Sequence, residues 1–224
     1  YDLQVSGETT NIFEVFRYVN EIITTSAFGY FAGGLETFPS SLTSVDRVDY
    51  ANDSVTATPK GPLTHGGNIA GTSNQSFGYT AGVNSTVNRI DFSSDTSTAA
   101  TKGTVSFHRS YISAVGNKNF GYWCGGGLPS TSTIDRLDYS NDTAASTPKG
   151  PLSENTYAAA GTGNSDFGYI GGLSPSKSQT LRIDYSNDSA LTTSKGALLS
   201  TGYMTNAAGN SNFGYWSGGP ANGS

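Results

Sequence analysis

The chain is short of almost everything that catalytic and helical proteins lean on. It has one cysteine, one methionine, two histidines and two tryptophans in 224 residues. A lone Cys124 forms no internal disulfide, which neither requires nor excludes an oxidising compartment. Glutamate occurs five times, so strong helix formers are scarce while turn formers abound, and that points to an all-β chain. Charged residues make up 13%, about half the usual share. The net charge of −5 is a poor footprint for a nucleic-acid binder. No apolar run reaches the roughly 18 residues that a membrane helix needs. No leader peptide is legible, and the chain opens on Tyr1, which reads as a processed or trimmed part of something longer.

What is present is glycine, 29 residues, and aromatic side chains: 13 Tyr and 11 Phe. The aromatics bury large area per residue and can build a core where aliphatics are few. They are also periodic. Phe-Gly-Tyr occurs at Phe28, Phe77, Phe120, Phe167 and Phe213, at spacings of 49, 43, 47 and 46 residues. A glycine follows each Phe by five positions (Gly33, Gly82, Gly125, Gly172, Gly218). Arg-x-Asp-Tyr/Phe then recurs at Arg47-Asp49, Arg89-Asp91, Arg136-Asp138 and Arg182-Asp184. Each Arg precedes a Lys-Gly by 13 positions, at Lys60, Lys102, Lys149 and Lys195. Only the stretch between Phe and Arg varies in length, which marks an exposed loop.

Alternation and turn signals divide each copy into four short strands. One precedes the Phe, such as Tyr157 to Thr162. A Ser-Asn or Gly-Asn turn leads to the Phe-Gly-Tyr strand. The variable loop leads to a third, such as Thr133 to Tyr139. A Ser-Asn-Asp turn leads to a fourth that ends at Lys-Gly, over Val55–Lys60 or Ala144–Lys149. Four such strands make one propeller blade. In the third strand Leu137 faces one way and Arg136 the other. An Arg packed between blades needs a partner, an Asp or a carbonyl in its own blade or the next.

This order resembles the kelch repeat over about residues 20 to 219. The resemblance rests on the glycine doublet, the Tyr two residues after Phe and the Tyr closing the third strand. The fourth-strand segments have no Trp, where kelch repeats carry one. Phe120-Gly-Tyr-Trp, the run Ile134 to Thr143 and Lys149-Gly-Pro-Leu-Ser153 are also similar to repeats in virion structural and tail-fibre-like proteins of marine phages, especially cyanophages. The resemblance implies an all-β, kelch-like β-propeller of four-stranded blades in a single domain over 1–224. The repeats fall near 20–62, 63–106, 107–152, 153–199 and 200–224 together with 1–19. Five blades are expected if both ends complete one blade, and six or seven if the array continues past them. Asn11 to Glu14 also fits a helix capping box, with Ile12, Phe16, Val19 and Ile23 on one face, although β-branched content favours strand.

Candidate chemistry is sparse. His65 and His108 follow Lys-Gly in separate copies and read as structural, and no cluster has zinc spacing. Asp-x-x-Asn-Asp groups (Asp49/Asn52/Asp53, Asp138/Asn141/Asp142, Asp184/Asn187/Asp188, and the weaker Asp91/Asp95) place oxygens near one another. Yet Asn and Asp also make turns by bonding their own backbone. Asn-x-Ser/Thr occurs at Asn52, Asn74, Asn84, Asn141, Asn187 and Asn222, where turn chemistry and glycan acceptance both stay open. Cys124 takes a position held elsewhere by Ala32, Ala81, Gly171 and Ser217, which suits a packed thiol. No carboxylate pair stands apart from the repeat.

The expectation is therefore non-enzymatic, with no catalytic residue, no cofactor and no metal. It is a virion structural or appendage protein, fibre- or spike-like, located on the virion or outside the cell. Its variable loops (Leu35–Ser44, Asn84–Val87, Gly127–Ser132, Leu173–Gln179) would offer Glu36, Phe38, Asn84, Pro129, Ser174 and Lys177 to a host-surface glycan or protein. Other virion or appendage proteins are the expected partners, with homo-oligomers open and nucleic acid excluded. The alternative is a cellular or secreted kelch-like interaction module.

Overall fold

A computed structural model describes residues 27–35, 40–127, 129–174, 177–199, 201–202 and 206–218. The 1–19 segment, with its helix-or-strand alternatives and its share in completing a fifth blade, lies outside the described residues.

The described chain is all-β. The first sheet holds β1 (Phe28–Ala32), β2 (Val45–Asp49) and β3 (Thr58–Lys60). The second holds β4 (Ala70–Ser73), β5 (Phe77–Ala81), β6 (Thr86–Asp91) and β7 (Ala100–Thr104). The third holds β8 (Ser113–Gly116), β9 (Phe120–Cys124), β10 (Ile134–Asp138) and β11 (Thr147–Pro148). The fourth holds β12 (Ala160–Gly163), β13 (Phe167–Gly171), β14 (Gln179–Asp184) and β15 (Thr193–Ala197). Last comes the pair β16 (Asn206–Gly209) and β17 (Gly214–Ser217). Every pairing is antiparallel and follows chain order. Two of the fourth strands are shorter than the alternation predicts, whereas β7 and β15 have five residues each and run past Lys-Gly. β3 covers only Thr58–Lys60 and β11 only Thr147–Pro148, because the turns before them extend further than the polar pattern reveals.

Successive sheets pack through their first strands, β4 on β8, β8 on β12 and β12 on β16. The core lies between sheets rather than at one centre. Val45, Leu63, Ile90 and Ala99 fill the first junction. Tyr79, Val87, Val105, Ile112, Trp123 and Leu137 fill the second. Val115, Tyr122, Cys124, Ile134, Leu152, Ile170 and Leu181 fill the third.

The packing explains two fixed residues of the repeat. The glycine inside Phe-Gly-Tyr lies under the ring that closes the third strand of its own sheet. A Cβ on Gly121 would come within 2.8 Å of the Tyr139 hydroxyl, and one on Gly168 within 2.7 Å of that of Tyr185. The glycine run after β9 has φ of 62°, 90° and 89° at Gly125, Gly126 and Gly127, where only glycine sits without strain.

Candidate functional site

The repeat's cations join one sheet to the next. Arg136 Nη1 donates to Asp188 Oδ2 at 2.7 Å, Lys149 Nζ lies 3.1 Å from Asp188 Oδ1, and the Tyr122 hydroxyl donates to Oδ2 at 2.9 Å. Asp142 collects Arg89 (2.7 Å), Lys102 (3.3 Å) and Tyr79 (3.1 Å) in the same way. Asp95 collects Arg47 (2.7 Å), Lys60 (3.1 Å) and Tyr30 (2.9 Å). Each guanidinium also lies over the Phe that opens its neighbouring strand, at 4.1 Å for Arg47 on Phe28 and 4.4 Å for Arg136 on Phe120. Burial works against the charge on Asp95 and Asp188. The hydrogen bonds from tyrosine, lysine and arginine outweigh it and hold both carboxyls below the ordinary range.

The acid that receives each Arg is not the Asp of Arg-x-Asp. It is the Asp six positions after the Arg of the following copy, a spacing present in the sequence at Asp53, Asp95, Asp142 and Asp188. Pairing it with the preceding copy's Arg needed the sheet-to-sheet contact. The acids of the motif itself, Asp49, Asp91, Asp138 and Asp184, turn the chain. Their Oδ1 atoms accept the backbone N–H two residues on, in Ala51, Ser93, Ser140 and Ser186, at 2.9 to 3.0 Å. Asn74, Asn117, Asn164 and Asn210 likewise accept from the N–H groups two and three positions ahead. In these groups Asp49, Asp91, Asp138 and Asp184 thus serve the turns, and Asp95, Asp142 and Asp188 serve the inter-sheet contacts. Among the described residues no three His, Cys, Asp or Glu side chains are grouped to hold a metal ion.

Because the sheets are antiparallel, these turns gather at one end of every sheet. The variable loops and the connections after Lys-Gly gather at the other. The two kinds of loop are laced together there by Gly34–Gly67 and Thr131–Thr156 bridges. Asn84 is exposed, and its Oδ1 accepts the Thr86 N–H. Pro129 is exposed. Lys177 is paired with Glu154, which also accepts from Gln179, so its charge is already countered. Ser174 is a correction to the expected binding set. It is buried, and its N–H donates to Thr156 Oγ1 at 3.0 Å, because the start of the loop packs against the connection before β12. Glu36 and Phe38 lie outside the described residues. Three apolar side chains that loop polarity did not single out, Leu35, Val83 and Phe107, are exposed at this end.

One buried pair beneath the loops breaks the repeat. Arg109 stands where the other copies have Gly67, Thr156 and Gly202. Its Nη2 lies 2.7 Å from Asp135 Oδ2, and Nε donates to the Gly125 carbonyl at 2.7 Å. Ser106 Oγ donates to the same carboxylate oxygen at 2.9 Å. The pair is almost wholly buried and clamps the glycine-rich start of the variable loop. The signal was in the sequence, as a departure from the aligned copies.

His65 Nε2 lies 2.9 Å from the Thr86 carbonyl, inside a contact between neighbouring sheets, while His108 is exposed. Cys124 is buried, and burial pushes its thiol up to about 12 against the pull of Arg109. It is a packed thiol, protonated at neutral pH. Among the described residues no helix is long and apolar enough to cross a membrane.

No family model and no curated protein matches the sequence. The chain is similar in structure to YjhT, with a TM-score of 0.71 at 10% identity over 88% of this chain and 76% of that one. At that identity the likeness is one of fold.

Proposed function

We propose that the sheets are the blades of a kelch-like β-propeller and that the chain is a non-enzymatic virion structural or appendage protein of fibre or spike type. The virion and kelch parts of the reading rest on the sequence resemblance. The observation that supports a presenting scaffold is the division of labour between the two sheet ends. The repeat cations Arg47, Arg89 and Arg136 are each consumed in joining sheets. Length varies chiefly in the loops at one end, where the Phe-to-Arg spacing is 19, 12, 16 and 15 residues in successive copies. Those loops stand on a frame fixed by ion contacts and aromatic stacks, which is the arrangement binding surfaces favour. Their exposed groups are weakly charged, with Phe107 supplying an aromatic face on which a sugar ring can stack and Leu35 and Val83 adding apolar contact.

The test is a glycan array and a cell pull-down with the chain and with variants in which one copy's loop replaces another's. Loss or change of binding on swapping 84–87 or 127–132 supports the reading. Binding indifferent to loop identity removes it. Detection of the chain in purified particles tests its virion location.

A further inference from the structure

The buried Arg109–Asp135 pair keeps two polar atoms in reserve. Arg109 spends Nε on the Gly125 carbonyl, and Nη2 on the Trp123 carbonyl and Asp135 Oδ2. Its Nη1 and the Oδ1 of Asp135 are buried and have no hydrogen-bond partner among the described residues. Arg109 is 2% exposed and Asp135 0%. Buried charge is costly unless its remaining donors and acceptors are met, so a donor and an acceptor left on one ion pair point to an occupant. The unpaired Nε atoms of Arg89, Arg136 and Arg182 recur from copy to copy and belong to the frame. The Arg109–Asp135 pair occurs once.

The equivalent places in the flanking sheets are closed from within. In the second sheet Asn88 stands where Asp135 does. Its Oδ1 accepts the Thr64 N–H at 3.0 Å, and its Nδ2 lies 3.1 Å from His65 Nε2, both from the connection before β4. In the fourth sheet the place is held by the apolar Leu181. In the third sheet the connection before β8 supplies Ser106 and Arg109, and both go to Oδ2, which leaves Oδ1 unmet. Phe107 covers the guanidinium, with Arg109 Cζ 4.7 Å from the ring centre. That ring is 43% exposed and sits between the exposed Ser106 and His108.

The chemistry of the two atoms selects the ligand. An anion would meet the Asp135 carboxylate, and a cation would meet the Arg109 guanidinium. A hydroxyl both accepts and donates, so it suits a donor and an acceptor that belong to one neutralised pair. A cyclic polyol adds an apolar ring face, which an aromatic side chain covers. We propose that Phe107, Arg109 and Asp135 form a subsite for a neutral sugar. Its hydroxyls accept from Arg109 Nη1 and donate to Asp135 Oδ1, while Phe107 swings off the guanidinium and stacks on the sugar ring. The swing gives up one cation–π contact on a side chain that already faces solvent. The subsite deepens the glycan reading of the loop end and rests on it, since Arg109 packs beside Gly127 at the start of the 127–132 loop.

The probes are the methyl glycosides of glucose, galactose and mannose with their monodeoxy analogues, titrated into the full chain and followed by ligand-observed NMR. At least one parent glycoside should bind saturably, and at least one of its deoxy analogues should bind tenfold or more weakly. Phe107→Ala should weaken the parent about tenfold with an unchanged melting midpoint, because the ring is partly exposed. Asp135→Asn should erase the difference between parent and deoxy sugar, which loss of packing alone would not do. If that variant fails to fold, the deoxy series on the unaltered chain and on Phe107→Ala carries the test. Saturable binding of none of the parents, equal binding of every deoxy analogue, binding indifferent to Phe107, or tighter binding of the matching uronate or amino sugar would each overturn the proposal. A chain that binds array glycans through its loops yet ignores Phe107 and Asp135 sinks the subsite and spares the glycan reading. A chain that binds no glycan at all removes both.

Discussion

Phe-Gly-Tyr-Trp occurs twice, at 120–123 and at 213–216, and the two copies sit in opposite surroundings. In β9 the Tyr and Trp have no exposed surface. In and beside β17 the Phe and Tyr are mostly exposed. Both Trp residues still make the same bond, from Nε1–H to a first-strand carbonyl of the preceding sheet: Ala70 for Trp123 at 3.1 Å and Ala160 for Trp216 at 3.2 Å. Local sequence thus sets the strand and its reach toward the sheet before it. Burial is set by the hairpin that comes after. β9 has β10 along its edge, and β17 has no such strand among the described residues.

Four measurements test this contrast. Trp123→Ala should cost about 3–5 kcal/mol, as large aromatic truncations in packed cores do, and Trp216→Ala about 1–2 kcal/mol. Urea unfolding of the two variants decides it, and equal losses would break the comparison. Next in size are the ion contacts. Asp188→Ala strands Arg136 and Lys149 between sheets and should cost about 2–3 kcal/mol, below the full penalty for a buried pair because Arg136 is a quarter exposed. Lys195→Ala, at an exposed side chain with no acid beside it among the described residues, should stay within about 0.5 kcal/mol. Arg136→Ala should cost about 1–3 kcal/mol, and an unchanged melting midpoint would contradict the role given to it.

The smallest effect is with pH. The Asp95 and Asp188 carboxyls titrate below their ordinary 3.8 in the folded chain. Their contribution is complete above the unfolded value and fades as pH falls through the folded one. The melting midpoint should therefore be flat near neutrality and drop below about pH 4. Asp188→Asn should flatten part of that drop, and an unaltered acid limb would remove Asp188 from the ledger of titrating groups.

Much of the architecture was legible because the repeat multiplies weak signals. A single Phe-Gly-Tyr says little, but five in register with Arg, Asp and Lys define strand order and turns. The turn roles of Asp138 and Asn117 follow from residue type alone. The lengths of β3 and β11 were misjudged, since exposed Ser and Thr fit turn and strand equally well. Ser174 was misplaced because a loop serine reads as exposed unless its contact with Thr156 is known. Arg109 was legible only as a departure, and its meeting with Asp135 joins the connection before β8 to the third strand of that same sheet.

The chain's own order of residues settled the all-β class, the four-strand module and the fixed spacing of its cations, since these depend on local alternation and turn chemistry. Only the tertiary structure decided which acid meets which Arg and which of two identical tetrapeptides is buried. Those outcomes turn on contacts between residues more than 40 positions apart, such as Arg136 with Asp188 and Tyr79 with Asp142. Coulomb and packing energies depend on distance in space, which spacing along the chain does not supply.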